Sequence, residues 1–111
     1  MASGNKQLAM KADQTFAEGV RVDPFDINNL LERVRLRRQY PQLLEQPASP
    51  DEILGWSARA LKIAPYMIAP QVEYARTLAF VGRKDEARQV ARILLERHHG
   101  LQIAVRLAEE I

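Results

Sequence analysis

Two adjacent histidines, His98 and His99, are the only imidazole groups in the 111-residue chain. Imidazole is the commonest general base and metal-binding side chain of proteins. Neighbouring side chains on a helix point about 100° apart, so these two rings do not converge on one metal ion. Their place at the end of a helical stretch indicates helix-end capping instead. The pair predicts no metal site.

Acidic pairs are the next candidates for chemistry. Examples are Asp51-Glu52 and Glu109-Glu110, with no base or nucleophile beside them in the sequence, so solvation and helix capping explain them. The chain has no cysteine, and none of its five glycines forms a phosphate-binding loop of the GxGxxG or GxxxxGK type. We therefore expect no catalytic residue, no metal and no cofactor.

One basic run stands out. Segment 33–38, RVRLRR, holds four arginines, and such a run can bind nucleic acid or an anionic surface. The alternative is the solvated face of an amphipathic helix. The net charge of the whole chain is only +2, which argues against a dedicated phosphate-binding surface. Binding of nucleic acid or an anionic surface is therefore the alternative function, and binding of a partner protein, for which the residues are given below, is the first.

Composition places the chain among globular domains. Hydrophobic residues make up 47%, too many for a disordered chain. No apolar run approaches the roughly 18 residues that a membrane span needs, and the start MASGNKQLAM lacks the apolar core of a signal peptide. The lack of cysteine fits cytoplasm and bacterial periplasm equally. We expect a fragment of a longer protein, with MASG as a vector remnant.

Helical periodicity is clearest over residues 74–97, YARTLAFVGRKDEARQVARILLER. Its second half has an apolar stripe with spacing i, i+3, i+4, i+7 and i+8, formed by Ala87, Val90, Ala91, Leu94 and Leu95. An earlier helix of about 71–81 ends at Gly82, which permits a tight reversal. The two helices are expected to pack antiparallel.

Upstream segments follow the same pattern. SPDE at 49–52 is a capping box with Ser49 as N-cap, and the helix after it carries Trp56 in its apolar stripe and ends before Pro65. Asp26 is expected to cap another helix, with Phe25 packed on it as a hydrophobic staple.

The helix that Asp26 caps is expected to end near Gln39, because Pro41 disfavours a helical conformation in the residue before it. Further helices of about 5–18 and 101–111 complete the set, and no segment alternates with the period of a strand. The fold class is therefore all-α, with about six helices in antiparallel hairpins.

Two helical units recur at a fixed distance. Asp51-Glu52 and Asp85-Glu86 begin corresponding helices 34 residues apart, and the same offset relates Tyr40 to Tyr74 and Leu44 to Leu78. Thirty-four residues is the repeat length of tetratricopeptide arrays.

The chain resembles proteins of the tetratricopeptide-repeat family, and the resemblance implies a single helical domain over residues 1–111. The better repeat is 68–101, where small and large apolar residues occupy the family's packing positions (Ala75, Leu78, Ala87) and Gly82 falls at the turn. A degenerate repeat covers about 26–65 and closes on ARALKIAP at 58–65, with a partial unit at 5–24 and a terminal helix at 101–111. Pro41 predicts a broken or rearranged first helix in the degenerate repeat. The interval from Pro24 to Pro65 is seven residues longer than one repeat, which predicts an insertion near 40–48.

A second resemblance is carried by residues 60–87, ALKIAPYMIAPQVEYARTLAFVGRKDEA. This segment is similar to the soluble C-terminal region of bacterial O-antigen ligases and pilin-type protein O-oligosaccharyltransferases. The resemblance implies a periplasmic accessory domain of a membrane glycan-transfer protein; otherwise the chain is expected in the cytoplasm. The catalytic residues of that family lie in its membrane portion, so none carries over to this chain.

The repeat resemblance also implies a binding groove. The family's groove positions correspond to Arg35, Arg38, Val72, Arg76, Ala79 and Phe80. An apolar floor with guanidinium walls suits an acidic segment of a partner protein or of an attached membrane domain. The alternative is that Arg76 only pairs with Glu73 or another acid, and that Phe80 packs inside.

Overall fold

The computed structural model describes residues 2–40, 49–98 and 100–111, and in these ranges it contains six α-helices and no strand. The helices are α1 Ala2–Val22, α2 Ile27–Gln39, α3 Pro50–Ile63, α4 Ile68–Phe80, α5 Lys84–Arg97 and α6 Gln102–Glu110. The all-α prediction is confirmed.

Two predicted N-caps are present. The Asp26 carboxylate accepts the backbone N–H of Asn28 at 3.0 Å, and the Ser49 hydroxyl accepts that of Glu52 at 3.1 Å. Each cap satisfies an amide that the first helical turn leaves without a partner. The staple expected of Phe25 is wrong, because this residue is 75% exposed.

Two helices are longer than their sequence patterns predict. The first helix runs to Val22 and not to residue 18, and α4 begins at Ile68 and not at residue 71. Pro70 lies in the first turn of α4, where a missing N–H breaks no helical hydrogen bond.

Gly82 reverses the chain between α4 and α5. Its φ of +90° lies in the region that only glycine adopts readily. Its N–H donates to the Ala79 carbonyl at 3.1 Å, and the N–H of Arg83 donates to the Leu78 carbonyl at 2.8 Å. These two bonds form a Schellman motif, so the predicted stop at Gly82 is confirmed.

Each helix packs against the next one in the chain, and α2 also contacts α4, which in turn contacts α6. The contact between α4 and α5 is the most extensive one between two helices in the described ranges. Ala75 clusters with Ala91 and Leu94, while Leu78 clusters with Ala87. Because these side chains are at most 2% exposed, the small residues predicted at this contact do bring the two helices together.

Two different offsets relate the helices. The starts of α3 and α5 are 34 residues apart, whereas those of α2 and α4 are 41 apart. The seven extra residues lie in the connection 40–49, compared with 81–83 in the other hairpin. The predicted insertion near 40–48 therefore lies in the connection between α2 and α3. Residues 41–48, which include Pro41 and Leu44, lie outside the described residues.

The predicted correspondence of Tyr40 with Tyr74 is wrong. Tyr40 is the C-cap of α2, whereas Tyr74 lies in the middle of α4. A broken first helix is also wrong, because α2 is continuous and is 13 residues long, as α4 is. The extra residues follow α2 and so do not interrupt its hydrogen bonds.

Candidate binding groove

An open groove of about 680 Å³ runs along the helices that contact one another in turn, α2, α4 and α6. Its lining residues are Arg35, Arg38, Gln39, Glu73, Arg76, Ala79, Phe80 and Glu110. Five of the six residues that the sequence predicts for a groove are among them. The predicted alternative that Phe80 packs inside is wrong, since it is 41% exposed.

Val72 is the exception, and its predicted place in the groove is wrong. It is 1% exposed and packs in the core with Ala75 and Leu94. On α4, the groove-facing residues Glu73, Arg76 and Phe80 follow the spacing i, i+3 and i+7 of one helix face. Val72 lies one residue outside this series, on the face that α5 covers.

Glu73 is the centre of the charges in the groove, although its sequence context predicts no binding role for it. Its residue exposure is 2%, and three guanidinium groups surround the carboxylate. Arg35 Nε lies 2.9 Å from Oε1, Arg38 Nη2 lies 2.7 Å from Oε2, and Arg76 Nη1 lies 3.6 Å from Oε1. Oε2 accepts no well-aligned hydrogen bond from a described residue, so its contact with Arg38 is an ion pair. A buried carboxylate requires such partners.

Arg38 also binds the backbone of α4. Its Nη1 donates to the Glu73 carbonyl at 3.2 Å and to the hydroxyl of buried Thr77 at 3.1 Å. The Thr77 hydroxyl donates to the same carbonyl at 2.7 Å. Arg38 therefore fixes the position of α4 against α2 through two hydrogen-bond acceptors and its ion pair with the Glu73 carboxylate.

Arg76 connects α4 to α6. Its Nε and Nη2 lie 3.2 Å from the two carboxylate oxygens of Glu110, a bidentate arrangement. The side chains are 31% and 50% exposed, respectively. The predicted alternative that Arg76 pairs with acids of its own chain thus describes its state in this structure.

The groove is electrically balanced. Arg35 pairs with Glu32 of its own helix as well as with Glu73. Burial by itself lowers the pKa of Arg35, but the hydrogen bonds and charges of Glu73 and Glu32 outweigh this effect and raise the pKa above its usual value. Three arginines thus face the three carboxylates of Glu32, Glu73 and Glu110, so the groove presents guanidinium groups without a large positive field.

A second ion-pair cluster uses the other two arginines of the basic run. Asp13 of α1 is 5% exposed and accepts two hydrogen bonds from Arg37, at 2.9 and 2.7 Å. Arg33 Nε lies 3.3 Å from the same carboxylate, and its guanidinium carbon lies 4.1 Å from the ring centre of Trp56, a cation–π contact.

All four arginines of RVRLRR are therefore engaged within the protein, and their side chains are only 8–40% exposed. The expectation of a solvated helix face is wrong. The acids Asp13 and Glu73 lie 20 to 38 residues away in the sequence, so no local spacing pattern could have revealed these pairs.

Within the described ranges, no three His, Asp or Glu side chains come close enough together to bind a metal ion. His98 is the C-cap of α5, where its backbone N–H donates to the Leu94 carbonyl; His99 lies outside the described residues. Every helix in these ranges is too short or too polar to cross a bilayer.

Comparison of the chain with known protein families, with curated proteins and with solved structures finds no match.

Proposed function

We propose that this chain is a non-catalytic interaction module that binds an acidic segment of a partner protein in the groove formed by α2, α4 and α6. The observation that carries the proposal is the half-exposed Phe80, which lines an open groove together with Arg35 and Arg76. An aromatic ring beside guanidinium groups suits a segment that combines an apolar side chain with a carboxylate.

The internal ion pairs determine how such a segment would bind. Arg76 already contacts Glu110, whose side chain is half exposed. A partner carboxylate can replace Glu110 at the guanidinium, because the displaced side chain then moves into solvent at little cost. Glu73, being buried, stays in place and keeps the arginines oriented. Binding is thus an exchange of one carboxylate for another.

The helix arrangement supports the same proposal. In helical repeat arrays the first helices of successive hairpins line a concave face that binds other molecules. Here α2, α4 and α6 contact one another in turn, and the sequence resembles tetratricopeptide repeats. Nucleic-acid binding through RVRLRR is less favoured, because its arginines are engaged in the contacts with Asp13, Trp56 and Glu73.

The narrower proposal concerns biological context. The resemblance of residues 60–87 to bacterial O-antigen ligases and protein O-oligosaccharyltransferases supports a role as a periplasmic accessory domain in glycan transfer. Its partner would then be a carrier protein or the enzyme's own membrane domain. The full reading frame tests this context: about ten upstream apolar segments of membrane-spanning length are expected, and a chain of further soluble repeats would contradict it.

Selection from a phage library of random peptides with free C-termini tests the binding function. We expect enrichment of peptides that combine Asp, Glu or the terminal carboxylate with an apolar residue. Binding of the selected peptides should weaken in Phe80→Ala and Arg76→Ala but not in Phe25→Ala, which removes an exposed aromatic residue elsewhere. No enrichment, or equal binding by all three variants, would contradict the proposal.

A further inference from the structure

Two guanidinium groups from different helices meet at one oxygen atom in the groove. Arg35 Nε of α2 lies 2.9 Å from Oε1 of Glu73, and Arg76 Nη1 of α4 lies 3.6 Å from the same atom. Both arginines line the groove and are partly exposed. A single anion placed in the groove beside this oxygen can therefore contact both cations.

Each of these arginines also has an exposed carboxylate partner. Arg35 pairs with Glu32 of its own helix, and Arg76 pairs with Glu110 of α6; the two acidic side chains are 46% and 50% exposed. The side chain of Glu73 is only 3% exposed. Because exposed ion pairs contribute little to stability, a ligand can replace the two outer carboxylates, whereas Glu73 stays in place.

The residues that line the groove carry more positive than negative charge. Three arginines line it, but only two glutamates, Glu73 and Glu110. The other acids of the three groove helices, Glu32 and Glu109, do not line it. When a ligand displaces Glu110, three arginines and Glu73 remain in the lining, with a net charge of +2.

A carboxylate and a phosphoryl group would use this surplus differently. A carboxylate that replaces Glu110 leaves the charge of the groove unchanged, and its two oxygens match one guanidinium group. A phosphoryl group on serine or threonine carries a charge of about −1.5 to −2 at neutral pH and has three acceptor oxygens. It can contact Arg76 and Arg35 together and neutralise the charge that a carboxylate leaves.

We propose that the segment bound in the groove carries a phosphorylated serine or threonine, held by Arg35 and Arg76, next to an apolar residue that packs on Phe80. Phe80 lies one helical turn beyond Arg76 on the same face of α4, so its ring is beside the anion. The inference rests on the proposed interaction function and not on its periplasmic context. The low net charge of the chain, +2, disfavours binding of many phosphates at once but not of one.

Fluorescence polarisation with three matched peptides tests this proposal. The parent is an acidic peptide selected in the phage experiment, and in the other two its essential acidic residue is replaced by phosphoserine or by serine. The phosphoserine peptide should bind roughly tenfold more tightly than the parent, as one added charged hydrogen bond predicts, and the serine peptide should bind more weakly than both. This advantage should shrink between about pH 7.5 and about pH 5.5, because the second pKa of the phosphoryl group is about 6.

Arg35→Gln should remove most of the advantage of the phosphoserine peptide, because Arg35 supplies the second guanidinium group. The quantity to compare is the ratio of the affinities for the phosphoserine peptide and its parent, which stays the same if a variant only lowers the fraction of folded protein. Arg21→Gln is the matched control. Arg21 also pairs with a glutamate three residues before it on the same helix but does not line the groove, so the ratio should not change.

Equal binding of the phosphoserine peptide and its parent would overturn the inference and leave the interaction function intact. A ratio that Arg35→Gln does not change would overturn it as well. Inorganic phosphate at the concentration of the peptide should not compete, and equal competition would mean that the groove binds the free anion and not a phosphorylated segment. If the phage experiment selects no peptide, the proposed function is wrong and this inference is wrong with it.

Discussion

Arg38 of α2 and Glu73 of α4 are 35 residues apart in the sequence, yet Arg38 Nη2 lies 2.7 Å from Glu73 Oε2. The same arginine binds the backbone carbonyl of Glu73. With Arg35 and Arg76 also at this carboxylate, Glu73 is the point where the charges of two neighbouring hairpins meet. Such a centre fixes helix positions, and its removal leaves Arg38, whose side chain is only 15% exposed, without an acidic partner among the described residues.

Glu73→Gln should therefore lower the free energy of unfolding by about 3–5 kcal/mol, the cost of removing one partner from a buried ion pair. The amide keeps the size of the side chain and loses its charge, so the arginines are left facing a neutral group. Urea denaturation followed by circular dichroism measures the change.

Glu32→Gln is the control for that substitution, since Glu32 occupies the equivalent position on α2 and its side chain is 46% exposed. It should cost less than about 1 kcal/mol, as exposed pairs do. Equal losses in the two variants would show that the burial of Glu73 does not determine the effect.

Ala87→Glu should destabilise the protein by more than about 3 kcal/mol, because a larger charged group is forced into the buried contact between α4 and α5. Ala87 is fully buried and clusters with Leu78. The melting temperature measures this loss, and Gln89→Glu, at an exposed position of the same helix, should leave it nearly unchanged. A normal melting temperature for Ala87→Glu would mean that the two helices pack through other residues.

Gly82→Ala should cost about 1 kcal/mol, because a φ of +90° strains any residue with a β-carbon. Crowding is not involved, since no atom lies within 4 Å of an added β-carbon. Gly55 has equally open surroundings but lies inside α3, so Gly55→Ala should stabilise the protein by up to about 1 kcal/mol. The two denaturation midpoints should therefore shift in opposite directions, and shifts of the same sign would refute the backbone explanation.

Glu110→Gln should strengthen binding of acidic peptides, because Glu110 holds the guanidinium of Arg76 that the peptide needs. An exposed ion pair contributes about 0.2–1 kcal/mol, so the affinity should rise by a factor of roughly 1.4 to 5. Fluorescence polarisation with a peptide selected on the unmodified protein measures it.

Glu109→Gln makes the same change of charge on the neighbouring residue, which forms no ion pair with the described residues, and should have a smaller effect. If Glu109→Gln strengthens binding equally, the effect comes from net charge and not from release of Arg76. If neither variant changes the affinity, the peptide does not bind at Arg76.

The sequence by itself determined the helices and most of their ends. Asp26, Ser49 and Gly82 act on backbone groups within a few residues of themselves, so their effects follow from local spacing and from the conformations each residue permits. The apolar period along α5 likewise determined which side of that helix is buried. The seven-residue insertion could be predicted for the same reason, because the interval from Pro24 to Pro65 depends only on where two helices end.

Only the tertiary structure decided what the charged residues do. Whether an arginine faces solvent, a partner or a buried acid depends on which helix packs beside it. For RVRLRR the deciding acids, Asp13 and Glu73, are supplied by α1 and α4. The same holds for Val72, which lies one residue from Glu73 and yet faces the core. A helix turns by about 100° per residue, so the direction of each side chain relative to a neighbouring helix is set by packing.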